Sequence, residues 1–147
     1  MVEVEQVRVY SSDVLVALNG LLPQLSSNFG PLSEADLRQI IQSDASTLYM
    51  AHDSHEYIGA LTLVIFKVPS GLRAWIEDVV VAEQARGAGV GALLVNHAVE
   101  VATGMGVKSI DLTSRSTRAP AIALYRKLGF KDRETNVFRY TGDNVGE

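Results

Sequence analysis

Residues 75–105 read WIEDVVVAEQARGAGVGALLVNHAVEVATGM, and this stretch decides the fold. Residues 75–81 are apolar and β-branched with two carboxylates among them, which predicts a strand. A glycine-rich run follows at 86–91. Beyond it, apolar residues recur at spacings of three or four, as they do on one face of a helix: Val90, Leu94, Ala98, Val101 and Met105. The predicted order is therefore strand, glycine-rich loop, helix.

The glycine-rich loop has the chemistry of a phosphate site. Gly87, Gly89 and Gly91 remove Cβ atoms from the entrance of the helix, so a ligand can approach the backbone closely. The first turn of a helix has unpaired N–H groups and a partial positive charge, and both favour a phosphate. Arg86 adds a cation. The simpler alternative is a helix start with flexible glycines and no ligand.

A second alternative is dinucleotide binding. Gly87-x-Gly89-x-x-Ala92 fits the fingerprint G-x-G-x-x-G/A, and Asp111 ends a later predicted strand about 20 residues on. The fingerprint places its first glycine at the end of the strand, whereas five residues separate Val81 from Gly87. It also needs further strand–helix units, and only 36 residues follow Asp111. Both features count against this alternative.

Two sequence blocks carry a family resemblance. Arg86-x-x-Gly89-x-Gly91 resembles the R/Q-x-x-G-x-G/A loop of the GNAT superfamily of acetyl-CoA-dependent N-acetyltransferases, which also follows a strand and opens a helix. Residues 121–130, AIALYRKLGF, are similar to the A-x-x-L-Y-x-K-x-G-F segment of that family. The two blocks stand in the family's order and spacing. The resemblance covers residues 58–130 well and the N-terminal third in outline.

The resemblance implies a fold and an activity. The fold is a single N-acetyltransferase domain over residues 1–147, of α/β class with a mixed α+β sheet. Antiparallel N-terminal strands precede a parallel β-α-β pair with a splayed CoA-binding cleft. The activity is transfer from acetyl-CoA to a primary amine, on a small molecule or a peptide, by direct attack in a ternary complex without a metal. The alternative is an acyl-CoA-binding sensor or regulatory domain without turnover.

The resemblance also implies which residues hold the coenzyme. The loop binds the pyrophosphate through backbone N–H groups of Arg86, Gly87, Ala88, Gly89, Val90, Gly91 and Ala92. The preceding strand binds the acetyl carbonyl and the pantetheine through its backbone at Val79, Val80 and Val81. Residues 28–32, with Phe29 as an apolar wall, either touch the acceptor or form an ordinary loop. Many members have an asparagine at the position of Arg118, so the role of that asparagine is not transferred.

Acetyl transfer to an amine also needs an acid and a base. Tyr125 is the expected acid, because a phenol with a pKa near 10 is protonated at neutral pH and can donate to the departing thiolate. The alternative is a core tyrosine. Glu77 is the expected base and Asp78 the second choice. Burying an unpaired charge in an apolar strand costs free energy, so a carboxylate there is expected to have a role. In a regular strand Glu77 shares a face with Val79, and Asp78 points the opposite way. A salt bridge is the alternative role for either carboxylate.

The composition excludes several classes of protein. The chain has 147 residues, of which 47% are hydrophobic, and it has no cysteine, which fits direct attack without a thiol intermediate. No apolar run approaches the ~20 residues that span a bilayer, so no membrane partner is expected. The net charge of −4 without a basic block makes nucleic acid an unfavourable partner. The expected location is the cytoplasm, and a homodimer is compatible with the sequence.

The remaining pattern predicts the other elements. Residues 11–13, SSD, offer an N-cap to a first helix, which Pro23 is expected to kink or end. Ser33 is the expected N-cap of a second helix, where Asp36 completes a capping box. Pro120 and Gly129 bound a last helix. His52, His55 and His97 are expected at the surface. The predicted strands are residues 2–10, 47–51, 57–68, 75–81 and 107–113, with one or two closing strands at 130–140.

Overall fold

The computed structural model describes residues 1–26, 28 and 30–142. These residues form two compact units, one of which is Met1–Arg115 while the other begins at Ser116. None of the helices in the described ranges has the length and apolar character that a bilayer crossing requires.

A mixed five-stranded sheet forms the centre of the first unit. Its strands lie in the order β1-β2-β3-β4-β5, and all neighbours are antiparallel except the parallel pair β4–β5. The predicted antiparallel meander and parallel crossover are therefore confirmed. The predicted strands at 2–10 and 107–113 are shorter than expected. The bounds are β1 Glu3–Gln6, β2 Ser46–His52, β3 Tyr57–Val68, β4 Gly71–Val81 and β5 Ser109–Asp111.

Local side-chain chemistry sets the first two helices. The Ser11 hydroxyl accepts the N–H of Val14 at 3.2 Å and caps α1, Ser12–Leu21. Pro23 falls in a 3-10 helix, Leu22–Gln24, that ends the α-helical turn as predicted. Ser33 and Asp36 exchange hydrogen bonds in the predicted capping box at the start of α2, Glu34–Gln42.

The long helix α3, Val90–Gly104, packs against β3 and β4. Its buried face differs from the prediction at the C-terminal end, where Ala102 is buried and Met105 is 57% exposed. Gly59 on β3 lies directly beneath this helix. The largest fully buried side chains of the core are Leu37, Met50, Leu61, Leu63, Val90, Leu94 and Val95.

Among its described residues the second unit contains one helix, α4, Ala119–Lys127, with Pro120 in its first turn. Gly129 has φ +103°, which supports its predicted role in ending the helix. The predicted closing strands are wrong, because residues 130–142 contain no strand. Arg126 makes a bidentate ion pair with Asp132 at 3.0 and 2.7 Å, and both residues are exposed. Three apolar side chains beyond it are exposed: Val137, Phe138 and Tyr140.

Gly59 tests the packing of α3 on the sheet. A Cβ at this position meets Leu94 Cδ1 at 3.1 Å, the Val80 carbonyl oxygen at 3.1 Å and Val90 Cγ1 at 3.2 Å. We expect Gly59→Ala to lower the free energy of unfolding by about 1–3 kcal/mol through overpacking, as measured by urea denaturation. Gly20→Ala is the control, because its Cβ meets nothing within 4 Å in α1. It should stabilise by up to about 1 kcal/mol, and equal losses in both variants would contradict the packing argument.

Candidate active site

The pairing of β4 with β5 ends well before β4 does. Within the described residues it spans only Arg73–Ser109, Ala74–Ile110 and Trp75–Asp111. β4 continues to Val81, so its C-terminal part extends beyond the ladder with β5. A strand that extends beyond its ladder can present backbone groups to a ligand.

The direction of those backbone groups follows from the β3 side. Ala82 N–H donates to the Ile58 carbonyl at 2.8 Å, and Val80 pairs with Ala60. Because neighbouring residues of a strand direct their backbone groups to alternate sides, Val81 directs its groups away from β3. Val79 lies in an irregular part of the ladder, to which this alternation does not apply. The side chain of Val80 is buried in the core, while Val79 and Val81 are half-buried. Val81 therefore directs its backbone groups to the side of β4 that the ladder with β5 does not reach, and the expected coenzyme contacts at Val79, Val80 and Val81 stay predictions.

A bulge interrupts β4 at its two carboxylates. Between the pairs Thr62–Glu77 and Ala60–Val80, β4 has two residues where β3 has one. Asp78 has φ +52° and is, in the described part of the chain, the one non-glycine residue with a positive φ. The prediction that Glu77 and Val79 share a face assumed a regular strand, and it does not hold for this bulged one.

Both carboxylate residues are exposed. The Asp78 carboxyl nevertheless lies close enough to protein atoms that desolvation raises its pKa above the ordinary value of an aspartate. The raised pKa makes the Asp78 carboxylate a stronger proton acceptor than an aspartate in water.

The glycine-rich loop opens α3 without a side-chain cap. Gly87 has φ +85°, and Gly89, the N-cap residue, has φ +81°. The first helical hydrogen bond runs from Leu93 N–H to the Gly89 carbonyl at 3.0 Å. The first-turn N–H groups before Leu93 consequently have no acceptor within the helix. Since residues 86–89 are exposed, this end of α3 is an accessible site for an anion.

Arg86 lies at the start of this loop and reaches across to another element. Its Nη2 donates to Gln24 Oε1 at 3.2 Å, and both residues are exposed. Gln24 ends the 3-10 helix Leu22–Gln24, which contacts β4. Arg86, the cation that we predicted to bind phosphate, is therefore already hydrogen-bonded to the neutral side-chain amide of Gln24.

Asn19 fixes the other end of the segment between α1 and α2. Leu32 N–H donates to Asn19 Oδ1 at 2.7 Å, and Asn19 Nδ2 donates to the Leu32 carbonyl at 3.0 Å. Within the predicted acceptor segment 28–32, Phe29 lies outside the described residues. The sequence analysis missed Asn19 and Gln24. The one available signal was an asparagine, a poor helix former, inside a predicted helix.

Tyr125 belongs to the second unit. It is half-buried, with its ring edge-on to Phe130 at 6.1 Å between centroids. Burial raises the pKa of the phenol, and the charge of Arg118 opposes this increase only in part. The hydroxyl is therefore protonated at neutral pH. The other predicted site residues, 77–81 and 86–92, all lie in the first unit.

Two of the three histidines make side-chain contacts that the sequence did not predict. His52 Nε2 lies 2.9 Å from a Glu5 carboxylate oxygen, and the His97 ring packs edge-on against buried Tyr49 at 4.9 Å. The prediction of simple surface residues is wrong for these two. No group of three His, Asp or Glu residues in the described ranges is placed to share a metal ion.

Comparison with known proteins identifies the family. Residues 17–130 match the sequence model of the Acetyltransferase (GNAT) family. This chain belongs to the GNAT family. The dinucleotide-binding alternative for Gly87, Gly89 and Ala92 is therefore wrong.

Relatives of this GNAT protein are distant. A 58-residue stretch is 41% identical to streptothricin acetyltransferase of Streptomyces lavendulae, covering 40% of this chain and 31% of that protein. An aminoglycoside acetyltransferase from an uncultured soil metagenomic sample superposes with a TM-score of 0.86 at 17% identity, covering 97% of each chain. The acetyltransferase AAC(6')-Iy, solved with a CoA-containing bisubstrate analogue, has a TM-score of 0.80 at 20% identity, covering 97% and 99%. These two likenesses show the GNAT fold.

The desolvated carboxyl in this GNAT protein predicts a pH-dependent stability. Because the pKa of Asp78 is raised in the folded state, the wild type loses stability as pH rises from about 4, the unfolded pKa of Asp, through the folded value. Asp78→Asn removes the charge and keeps a residue that tolerates positive φ. We expect the variant to have the higher Tm at pH 7, with the difference disappearing below about pH 4. A Tm difference that is constant with pH would contradict this.

Proposed function

We propose that this GNAT protein transfers an acetyl group from acetyl-CoA to a primary amine by direct attack in a ternary complex. The observation that carries the proposal is that the end of β4 beyond its ladder with β5 and the uncapped start of α3 follow each other in the chain, with the 3-10 helix Glu83–Ala85 between them. The edge suits an extended chain with amide groups, and the helix start suits a pyrophosphate. Acetyl-CoA contains both, in that order from its thioester.

The chain's own residues would divide the binding as follows. Backbone N–H groups of residues 87–92 hold the pyrophosphate together with the Arg86 side chain, because the glycines leave no Cβ in the way. The Arg86 N–H already donates to the Glu83 carbonyl at 3.3 Å, so that residue would act through its guanidinium. The backbone of Val79 and Val81 bonds the pantetheine and the acetyl carbonyl, and a donor aimed at that oxygen stabilises the charge that develops there. The buried side chain of Val80 anchors the edge to the core.

Proton transfers would fall to Tyr125 and one carboxylate. The raised pKa of Tyr125 keeps its hydroxyl protonated and able to donate to the thiolate. Glu77 is the base that we propose for the acceptor ammonium. Asp78 is the alternative base, and the raised pKa of the Asp78 carboxyl favours this alternative.

The acceptor is proposed only as a class. One similar sequence is a streptothricin acetyltransferase, and one similar structure is an aminoglycoside acetyltransferase. Both names support an acceptor that is a polar amine. The net charge of −4 favours a cationic acceptor weakly. We further propose that both units form one catalytic domain that works in the cytoplasm, as a monomer or a homodimer.

The first test measures coenzyme binding and turnover together. Acetyl-CoA should raise the Tm while NADH does not, and a panel of amines including sisomicin and glucosamine 6-phosphate should release free CoA. Gly89→Asp should abolish CoA binding in calorimetry, since its carboxylate meets the phosphate. Gly89→Asn, equal in size and equally tolerant of positive φ, should bind more tightly than the aspartate variant. Binding without CoA release for any amine would favour the sensor alternative.

Removal of the phenol hydroxyl tests Tyr125. Tyr125→Phe should lower kcat by roughly 10²–10⁴-fold if the hydroxyl is the general acid. The Kd for acetyl-CoA should change little, because the ring and its contact with Phe130 remain. Stopped assays of CoA release and calorimetry give the two quantities, and a kcat within twofold of wild type would leave Tyr125 as a structural residue.

A pH profile tests Glu77. A primary amine has a pKa near 10.4, so it arrives charged at neutral pH and must lose a proton. Glu77→Gln should reduce kcat/KM at neutral pH and recover at high pH, where free amine is already present. Asp78→Asn is the matched variant, and a pH-dependent loss confined to it would assign the base to Asp78. A uniform loss at every pH would show a structural role for Glu77.

A further inference from the structure

The guanidinium of Arg86 has a partner where the proposed function requires a phosphate. Its Nη2 donates to Gln24 Oε1 at 3.2 Å, across 62 residues of sequence. Both side chains are exposed, so this neutral hydrogen bond is weak in water. A pyrophosphate offers a guanidinium charge-assisted, bidentate hydrogen bonds, which are roughly twice as strong as neutral ones. A phosphate at this loop would therefore displace the amide.

Gln24 belongs to an element that contacts other parts of the proposed site, so displacement of its amide can affect those parts. It ends the 3-10 helix that continues α1, and Leu25 N–H closes the turn on the Leu22 carbonyl at 2.9 Å. The same 3-10 helix contacts β4, whose end forms the open edge. The segment that follows is fixed again at Leu32, where Asn19 makes two hydrogen bonds. Gln24 therefore connects two parts of the chain. Through Arg86 it contacts the glycine-rich loop, and it belongs to the connection between α1 and Leu32, which Asn19 of α1 holds by two hydrogen bonds.

We propose that Gln24 is a positioning residue for Arg86 that competes with the coenzyme phosphates for its guanidinium. The inference rests on the proposed function. In the absence of coenzyme, Gln24 holds Arg86 beside the loop and keeps the guanidinium from other orientations. When the phosphates bind, Arg86 turns to them and releases the Gln24 amide. Because the two contacts exclude each other, a change that strengthens the Arg86–Gln24 contact weakens coenzyme binding by at most the same factor.

A double-mutant cycle tests the competition, with coenzyme A as the probe in calorimetry. Gln24→Glu converts the neutral contact into an exposed ion pair, which should weaken CoA binding about two- to fivefold at low salt. The effect should shrink as salt is added. Gln24→Ala removes the competitor and should leave the affinity equal or up to about twofold tighter. In an Arg86→Gln background the effect of Gln24→Glu should disappear.

Several outcomes would overturn the inference. One is an equal effect of Gln24→Glu with and without Arg86, since Gln24 would then act independently of the guanidinium. Another is a loss with Gln24→Ala as large as with Gln24→Glu, which would mean that Gln24 supports the fold or contacts the coenzyme itself. Unchanged affinity in Gln24→Glu would also refute it. If the wild type binds no CoA, the proposed function fails first and the inference with it.

A spectroscopic measurement is independent of affinity. The side-chain amide signals of Gln24, assigned by their loss in Gln24→Ala, should shift when CoA is added to the wild type. The amide signals of Asn19, which is tied to Leu32 rather than to Arg86, serve as the internal comparison. Gln24 signals that stay unchanged at saturating CoA would show that the contact persists, and the proposal would be wrong.

Discussion

The site depends on one constraint, the early end of pairing between β4 and β5. β5 has three residues and β4 eleven, so the parallel ladder ends at Trp75 and β4 extends beyond it to Val81. An open strand edge is a liability that proteins usually cover or charge. Here the edge is followed directly by the 3-10 helix Glu83–Ala85 and the glycine-rich loop. The coenzyme that we propose has amides at one end and phosphates at the other, so it would pair with both of these consecutive features.

The start of α3 shows that this arrangement is not optimised for stability. Ser11 and Ser33 cap α1 and α2 with their hydroxyls, and such a cap contributes about 0.5–2 kcal/mol. α3 is the longest of the helices described, yet Gly89 provides no side-chain cap. The chain therefore has the means to cap a helix and does not use it here. The donors that remain available are the ones that the proposed pyrophosphate site needs.

Sequence patterns within a few residues predicted much of this structure. Contacts between residues far apart in the chain could not be predicted in this way. Caps at Ser11 and Ser33, the meander and the loop before α3 all follow from signals within a few residues. The Arg86–Gln24 contact spans 62 residues and leaves no local pattern. The closing strands failed for a related reason, because the pattern at 130–140 does not show whether another strand is there to pair with, and Val137, Phe138 and Tyr140 are exposed. The bulge at Asp78 was also hidden, because Asp tolerates positive φ but adopts it at only a small share of its positions.

The bulge explains how two adjacent carboxylates can lie in an apolar strand without entering the core. In a regular strand Glu77 and Asp78 would lie on opposite faces, one of them toward the core. A positive φ at a non-glycine residue costs of order 1–3 kcal/mol and persists only when its surroundings enforce it. Ile76 and Val80 are buried on either side at 3% exposure each, and they anchor both flanks of the bulge in the core. With both flanks anchored, the extra residue is accommodated outward, and both carboxylate residues are exposed while the core stays apolar. Desolvation also raises the pKa of the Asp78 carboxyl, so the strained residue is a stronger proton acceptor than an aspartate in water.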